Sequence, residues 1–179
     1  GSSNAISLAR TANHPYSLAV ALAYGGITYQ LCGDTAKLTD AVGELRELCD
    51  RYGFAYYREW ALVLEGWARA DLALAHQGVE NLKSEGSLVR MPYWLSLIAD
   101  LSARLNQPDA ARATLDAALV GGQSREDMWW LPEVMRMRAA YDDEEAAVAR
   151  LRSAARLAYT HGSAALYRRC ADDLAALGV

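Results

Sequence analysis

The chain is poor in the residues that staple or punctuate a fold: three cysteines, four prolines, three histidines and one phenylalanine in 179 residues. Cys32, Cys49 and Cys170 are too few and too scattered for a disulfide framework or a zinc site, and read as buried thiols of a cytoplasmic protein. Alternating β-branched stretches are nearly absent, which excludes a sheet and leaves an all-α class. No secretory leader is visible, and Gly1 to Ala5 ("GSSNA") reads as a cloning scar, leaving residues 6–179 as one helical domain. A net charge of −4 offers no general phosphate-binding surface, so nucleic acid is not an expected partner.

Charge is missing altogether from residues 11–33. A membrane span needs about 20 mostly apolar residues. This stretch carries Asn13, His14, Pro15, Ser17, Gly25, Gly26, Thr28 and Gln30 instead, so a core helix is expected, with no membrane partner.

Catalytic constellations are missing too. His14, His76 and His161 have no cysteine or carboxylate at ligand spacing, and His14-Pro15 reads as a helix start. The run Asp142 to Glu145 lacks the glycine-centred loop of a calcium site and reads as an acidic first helical turn. Gly25-Gly26 and Gly121-Gly122 lack the Lys and Ser/Thr of a phosphate loop. No nucleophile, base or metal set converges, so no catalytic residue, metal ligand or cofactor is expected, and the chain reads as a non-enzyme.

What is present is repetition. Pro15-Tyr16 and Pro92-Tyr93 open similar apolar stretches, "HPYSLAVAL" and "MPYWLSLIA". Aligned on Leu22, Leu62, Leu95 and Leu131, the chain repeats at intervals of 40, 33 and 36 residues. Gly26, Gly66, Ala99 and Met135 form a mostly small column four residues on, and Leu38, Gly78, Ala111 and Ala147 a second. Val42, Leu82, Leu115 and Leu151 follow as a large apolar column, then Leu45, Glu85, Ala118 and Ala154. Spacings of three and four keep residues on one helical face, and small residues let two helices cross closely. Each unit is therefore a helix–turn–helix that buries its apolar face only by stacking on its neighbours.

Second helices are expected to end at Gly53, Gly86, Gly121-Gly122 and Gly162. Asn106 and Asp142 are expected N-caps. Tyr167 and Ala171 extend the leucine and small columns into a fifth unit. Glu85, in a normally apolar column, marks repeat two as locally loosened.

The unit "LSLIADLSARLNQPDAARATLDAAL" resembles a tetratricopeptide repeat, with Leu95, Ala99, Ala111, Leu115 and Ala118 at that family's main positions. Repeat one departs from it at Leu38 and repeat four at Met135. Repeat two is the poorest match, its second helix about two turns short. More narrowly, "ISLARTANHPYSLAVAL", "WALVLEGWA" and "RMPYWLSLIADLSARL" resemble the repeat region that follows the nucleotide-binding module in bacterial STAND-type signalling ATPases. Those proteins are fused to adenylate or guanylate cyclase domains, or to LuxR-type DNA-binding domains.

The resemblance implies a right-handed superhelical solenoid of about four antiparallel helix pairs plus a terminal helix, cut from a longer protein. It implies an interaction scaffold, the sensor or partner-binding segment of a signalling or transcriptional regulator. Its partner would be a protein, a peptide, neighbouring domains of the parent chain or a small effector. Nucleotide chemistry would lie elsewhere in the parent. In such stacks the first helices line a concave groove, which carried over position by position places Trp60, Trp67, Tyr93, Asp100, Arg104, Trp129 and Arg136 there. For the aromatic members, Trp60 and Trp67 above all, core packing is the competing reading. The alternative function is self-association into a homodimer through exposed solenoid ends.

Overall fold

In the computed structural model, which describes residues 1–179, the chain forms ten α-helices and no strand. They are α1 (Ser2–Thr11), α2 (Pro15–Leu31), α3 (Thr35–Tyr52), α4 (Ala55–Arg69) and α5 (Leu72–Ser84), then α6 (Met91–Arg104), α7 (Pro108–Ser124), α8 (Leu131–Ala139), α9 (Glu144–Thr160) and α10 (Ala164–Ala176). Two compact units result, Gly1–Leu88 and Val89–Val179.

Side-chain acceptors set four of the ten helix starts. Asp34, Asp71 and Asp143 take the backbone N–H of Lys37, Leu74 and Ala146 at 3.2, 3.0 and 2.9 Å, each satisfying a donor that its helix leaves open. His14 does the same with Nδ1 toward the Ser17 N–H at 3.2 Å, so His14-Pro15 is a helix start as its sequence indicates.

A left-handed residue closes most helices, with the N–H beyond it reaching back five residues. Gly33, Ala70 and Asn106 occupy this position between paired helices, at φ of 69°, 54° and 59°. The returning bonds run from Asp34 to the Tyr29 carbonyl, Asp71 to Gly66 and Gln107 to Ser102, at 2.9, 2.8 and 2.8 Å.

These landmarks reset the register. The N-caps of the second helices are Asp34, Asp71, Gln107 and Asp143. Four residues beyond them stand Leu38, Ala75, Ala111 and Ala147, then Val42, Val79, Leu115 and Leu151, then Leu45, Leu82, Ala118 and Ala154, all buried. The expected second-helix columns are therefore right in repeats one, three and four and three residues out in repeat two, while in the first-helix columns Leu95 and Met135 are only half-buried. Leu82, not Glu85, holds the apolar position in repeat two, and Glu85 is the exposed C-cap of α5. With 13 residues against 17 or 18 in its counterparts, α5 is shorter by about one turn rather than two.

Other expectations shift by a residue or two. The N-caps are Gln107 and Asp143 rather than Asn106 and Asp142. Gly53, Gly86 and Gly162 do end helices in the left-handed region, but α7 runs past Gly121-Gly122 and its left-handed residue is Glu126. Gly122 is instead a crossing point: a Cβ there would lie 2.6 Å from Leu131 Cδ2. In α10 the buried residues are Leu166 and Cys170, while Tyr167 is exposed. Cys49 and Cys170 are buried as expected, and Cys32 is exposed.

Within each unit, consecutive helices pack against each other across short connections. In the N-terminal unit α2 also packs on α4, and in the C-terminal unit α8 packs on both α6 and α10. The charge-free stretch is a core helix: α2 buries Ala19, Leu22, Ala23, Gly25, Gly26 and Ile27. No helix is long and apolar enough to cross a membrane.

Candidate functional site

The C-terminal unit contains a cavity of about 540 Å³, bounded by α6 to α10. With nine residues, α8 stops at Ala139, and the turn bonds from Tyr141 to the Arg138 carbonyl and from Asp142 to Ala139 lead the chain away. Leu115 of α7 and Ala147 and Leu151 of α9 form its floor and are themselves buried. Ala99 and Ala103 of α6 form one wall, and Ala176 and Leu177, at the end of α10, form another. The interior is thus apolar and made largely of small side chains.

Charge lies on the walls. Four carboxylates line the cavity, Asp100, Asp142, Glu144 and Asp173, against one guanidinium, Arg136. Arg136 is held on all three nitrogens. Its Nε and Nη2 donate to the two oxygens of Glu133 at 3.0 Å each, and Nη1 donates to Asp173 Oδ2 at 2.7 Å. Burial works against its charge, but the hydrogen bonds and field of Glu133 and Asp173 overcome this and raise its pKa. Glu133 is only 5% exposed and also accepts from Arg169 Nη1 at 2.9 Å. Through Arg169 and Asp173, α10 is fastened to α8 by two charged contacts.

A second network fixes the turn beside the cavity. Asp142 accepts from Arg138 Nη1 at 2.7 Å and from Arg150 Nε at 2.6 Å, and Arg138 Nε also donates to Asp116 at 2.6 Å. The hydrogen bond from Arg150, aided by the charge of Arg138, holds the Asp142 carboxyl below the usual aspartate range despite desolvation. On α6, Asp100 pairs with Arg104 at 3.2 Å.

The expected groove residues divide. Asp100 and Arg136 line the cavity, and Arg104 is joined to it through Asp100. Trp60 and Tyr93 do not line an open groove: both are 0% exposed. Trp60 packs edge-on against Tyr24, Tyr56 and Tyr57, with ring centres 5.3–5.5 Å away. Tyr93 packs at 4.8 Å on Trp94 and 5.4 Å on Trp130, and burial pushes its hydroxyl pKa upward. These aromatics are core because the pairs of helices meet where a groove column was assigned. Trp67 is half-buried on α4 of the N-terminal unit. Trp129 is 40% exposed but lies in the turn before α8 and outside the cavity walls.

Sequence reasoning missed Tyr141, Asp142, Glu144 and Asp173 as wall residues, and Glu133 and Arg169 as their supports. The spacing of Glu133 and Arg136, three apart on one helix, was a legible signal for an ion pair. The contribution of α10 had no local signal. His14, His76 and His161 are all exposed, and no group of three or more His, Cys, Asp or Glu is arranged to hold a metal ion.

No protein-family model matches the chain. Among curated proteins it is similar to an uncharacterized protein of Rhizobium meliloti (strain 1021), with 26% identity over 178 residues. That match takes in 93% of this chain but spans only 17% of the length of the relative.

Proposed function

We propose that the chain is a non-enzymatic interaction and regulatory scaffold, built of tetratricopeptide-like helix pairs of a superhelical solenoid. It serves as the sensor or partner-binding segment of a larger bacterial signalling protein of the STAND type. The observation that carries this reading is the apolar cavity with a charged wall in the C-terminal unit, fitted to hold part of a partner. Recurrent N-caps at Asp34, Asp71, Gln107 and Asp143, with three buried columns behind them, support the repeat assignment. A relative much longer than the segment shared with it supports the reading as one segment of a larger protein.

An occupant of the cavity touches α6, α8, α9 and α10 together. It changes how α10 is held wherever it binds two arrangements of that helix with different affinity. Filling the cavity tests the reading. Ala103 is exposed on the wall, so Ala103→Phe places a ring in the opening without overpacking the core. With an unchanged helical circular dichroism spectrum, this variant is expected to lose a partner that the unaltered chain retains from lysate of the source cell. Retention of the same partner by both would remove the cavity from the function.

Self-association is favoured by a different observation. A second hollow of about 480 Å³ lies on α9 and α10, lined by Arg152, Ala155, Arg156, Tyr159, Tyr167 and Leu174. Tyr159 is 77% exposed and Tyr167 45%. Such a face is a contact surface in waiting. Sedimentation equilibrium over a wide concentration range separates the readings, because a monomer throughout excludes assembly through this face.

A further inference from the structure

We infer that the hollow on α9 and α10 takes an acidic amphipathic peptide segment, its carboxylates set against Arg152 and Arg156 and its apolar side chains against Tyr159 and Tyr167. This goes beyond the scaffold reading, which rests on the other cavity, and gives a second surface a partner of stated chemistry.

The two arginines carry the charged half. Three arginines stand on α9, and they differ in what they touch. Arg150 donates to Asp142 at 2.6 Å. Arg152 and Arg156, both exposed, have no carboxylate within ion-pair distance, and their guanidiniums make no hydrogen bond within the chain. Four residues apart on one helix, they share a face one turn from each other. No carboxylate lines the hollow, so nothing in it competes with an incoming one. A guanidinium fork takes a carboxylate through paired hydrogen bonds, and both forks here are open.

The tyrosines carry the apolar half. Their ring centres lie 6.2 Å apart, with the planes at 58°. Tyr159 is 77% and Tyr167 45% exposed, so an apolar side chain laid on them removes ring area from water. Ala155 is buried beneath, and Leu174 is half-buried beside it. Tyrosine and arginine are enriched at the centres of protein interfaces, where aspartate, glutamate and lysine are scarce. This lining has two of each of the former and none of the latter.

Other occupants fit less well. The lining holds cations without anions, so the same hollow on a second copy offers its arginines no carboxylate. A nucleic-acid strand needs a basic track along its phosphates, and the hollow has two cations on a chain of net charge −4.

The test uses the full chain and three amidated eight-residue peptides: leucine with glutamate, leucine with lysine, and serine with glutamate. An eight-nucleotide single-stranded DNA is run beside them. Binding is followed by fluorescence anisotropy at low and high salt. The leucine–glutamate peptide is expected to bind at least about tenfold more tightly than each of the others, less tightly at high salt. Arg152→Gln with Arg156→Gln should weaken it about tenfold, and Tyr159→Ala with Tyr167→Ala by a similar factor. All four positions are exposed, so both variants should keep the melting temperature of the unaltered chain. Ala103→Phe, in the other cavity, should leave this binding unchanged.

Equal or tighter binding of the leucine–lysine peptide overturns the inference, as does a leucine–glutamate peptide that ignores the loss of both arginines. Equal binding of the serine–glutamate peptide overturns it too, since that is attraction to charge without the tyrosines. Tighter binding of the DNA, or no binding by any peptide, has the same force. Loss of the leucine–glutamate peptide on Ala103→Phe moves the site to the first cavity, which overturns this inference and leaves the scaffold reading standing. A dimer in sedimentation equilibrium that the two arginine changes dissociate gives the face to a second copy, and that also overturns it.

Discussion

Glu133 on α8 and Arg169 on α10 are 36 residues apart in the chain and 2.9 Å apart in space. Glu133 also takes both ends of the Arg136 fork, so one buried carboxylate holds two guanidiniums and, through them, the last helix. Removing its charge leaves Arg136 with Asp173 as its ionic partner and takes from Arg169 the carboxylate it donates to. Losing one member of a fully buried pair costs about 3–5 kcal/mol. Here the arginine side chains are 25% and 42% exposed and glutamine still accepts a hydrogen bond.

Glu133→Gln is therefore expected to destabilise the C-terminal unit by about 2 kcal/mol. For a unit of this size this lowers the melting temperature by about 8–16 °C. Hydrogen exchange should accelerate first in α10. An unchanged melting temperature would show that α10 is held by its apolar contacts alone.

Glycines that look alike in sequence differ sharply in what surrounds them. A Cβ on Gly66 would sit 2.5 Å from the Ala75 backbone nitrogen and 2.8 Å from the Asp71 carbonyl oxygen, where α4 and α5 cross. Gly43, in the middle of α3, has nothing within 4 Å. Gly66→Ala is expected to cost about 2–3 kcal/mol, because backbone on both sides must move. Gly43→Ala is expected to stabilise by about 0.5–1 kcal/mol, because it lowers the entropy of the unfolded chain in a helical site. Urea titration of both variants checks the contrast, and equal effects would refute the crossing geometry.

The helix-pair organisation was legible because capping chemistry and burial follow local rules. His14 before Pro15 and the small residues at crossings could be read directly. Repeat two misled because Gly66 and Gly78 both lie at the α4–α5 crossing and imitate a column they do not occupy. Asp71 was the better landmark, since an N-cap fixes phase by a hydrogen bond and a small residue does not. The cavity was hidden for another reason. Asp100, Arg136, Asp142 and Asp173 come from α6, α8, the turn before α9, and α10, and no local pattern announces that they line one space.

The three thiols should react at two rates. Cys32 is exposed, while Cys49 and Cys170 are buried, and burial pushes both of the latter thiols up to about 11. With a thiol-disulfide reagent at pH 8, one cysteine per chain is expected to react at the rate of a free thiol. The other two should wait for unfolding. Three fast thiols would mean that α3 and α10 open far more readily than their packing implies.

Acid should loosen the Asp142 turn in a defined direction. The Asp142 carboxyl titrates lower folded than unfolded, because Arg150 and Arg138 favour its charged form. Its contribution to stability is therefore complete above the unfolded value near 4 and is lost as pH falls through the depressed folded value. Denaturant midpoints measured from pH 6 down to pH 3 should fall more steeply for the unaltered chain than for Asp142→Asn. That variant should start lower at pH 6, since it gives up the ionic part of both arginine contacts. The gap between the two curves should narrow toward the acid end, as the aspartate begins to take up a proton. Parallel curves over the whole range would show that Asp142 holds its turn by shape and neutral hydrogen bonding, with no role for its charge.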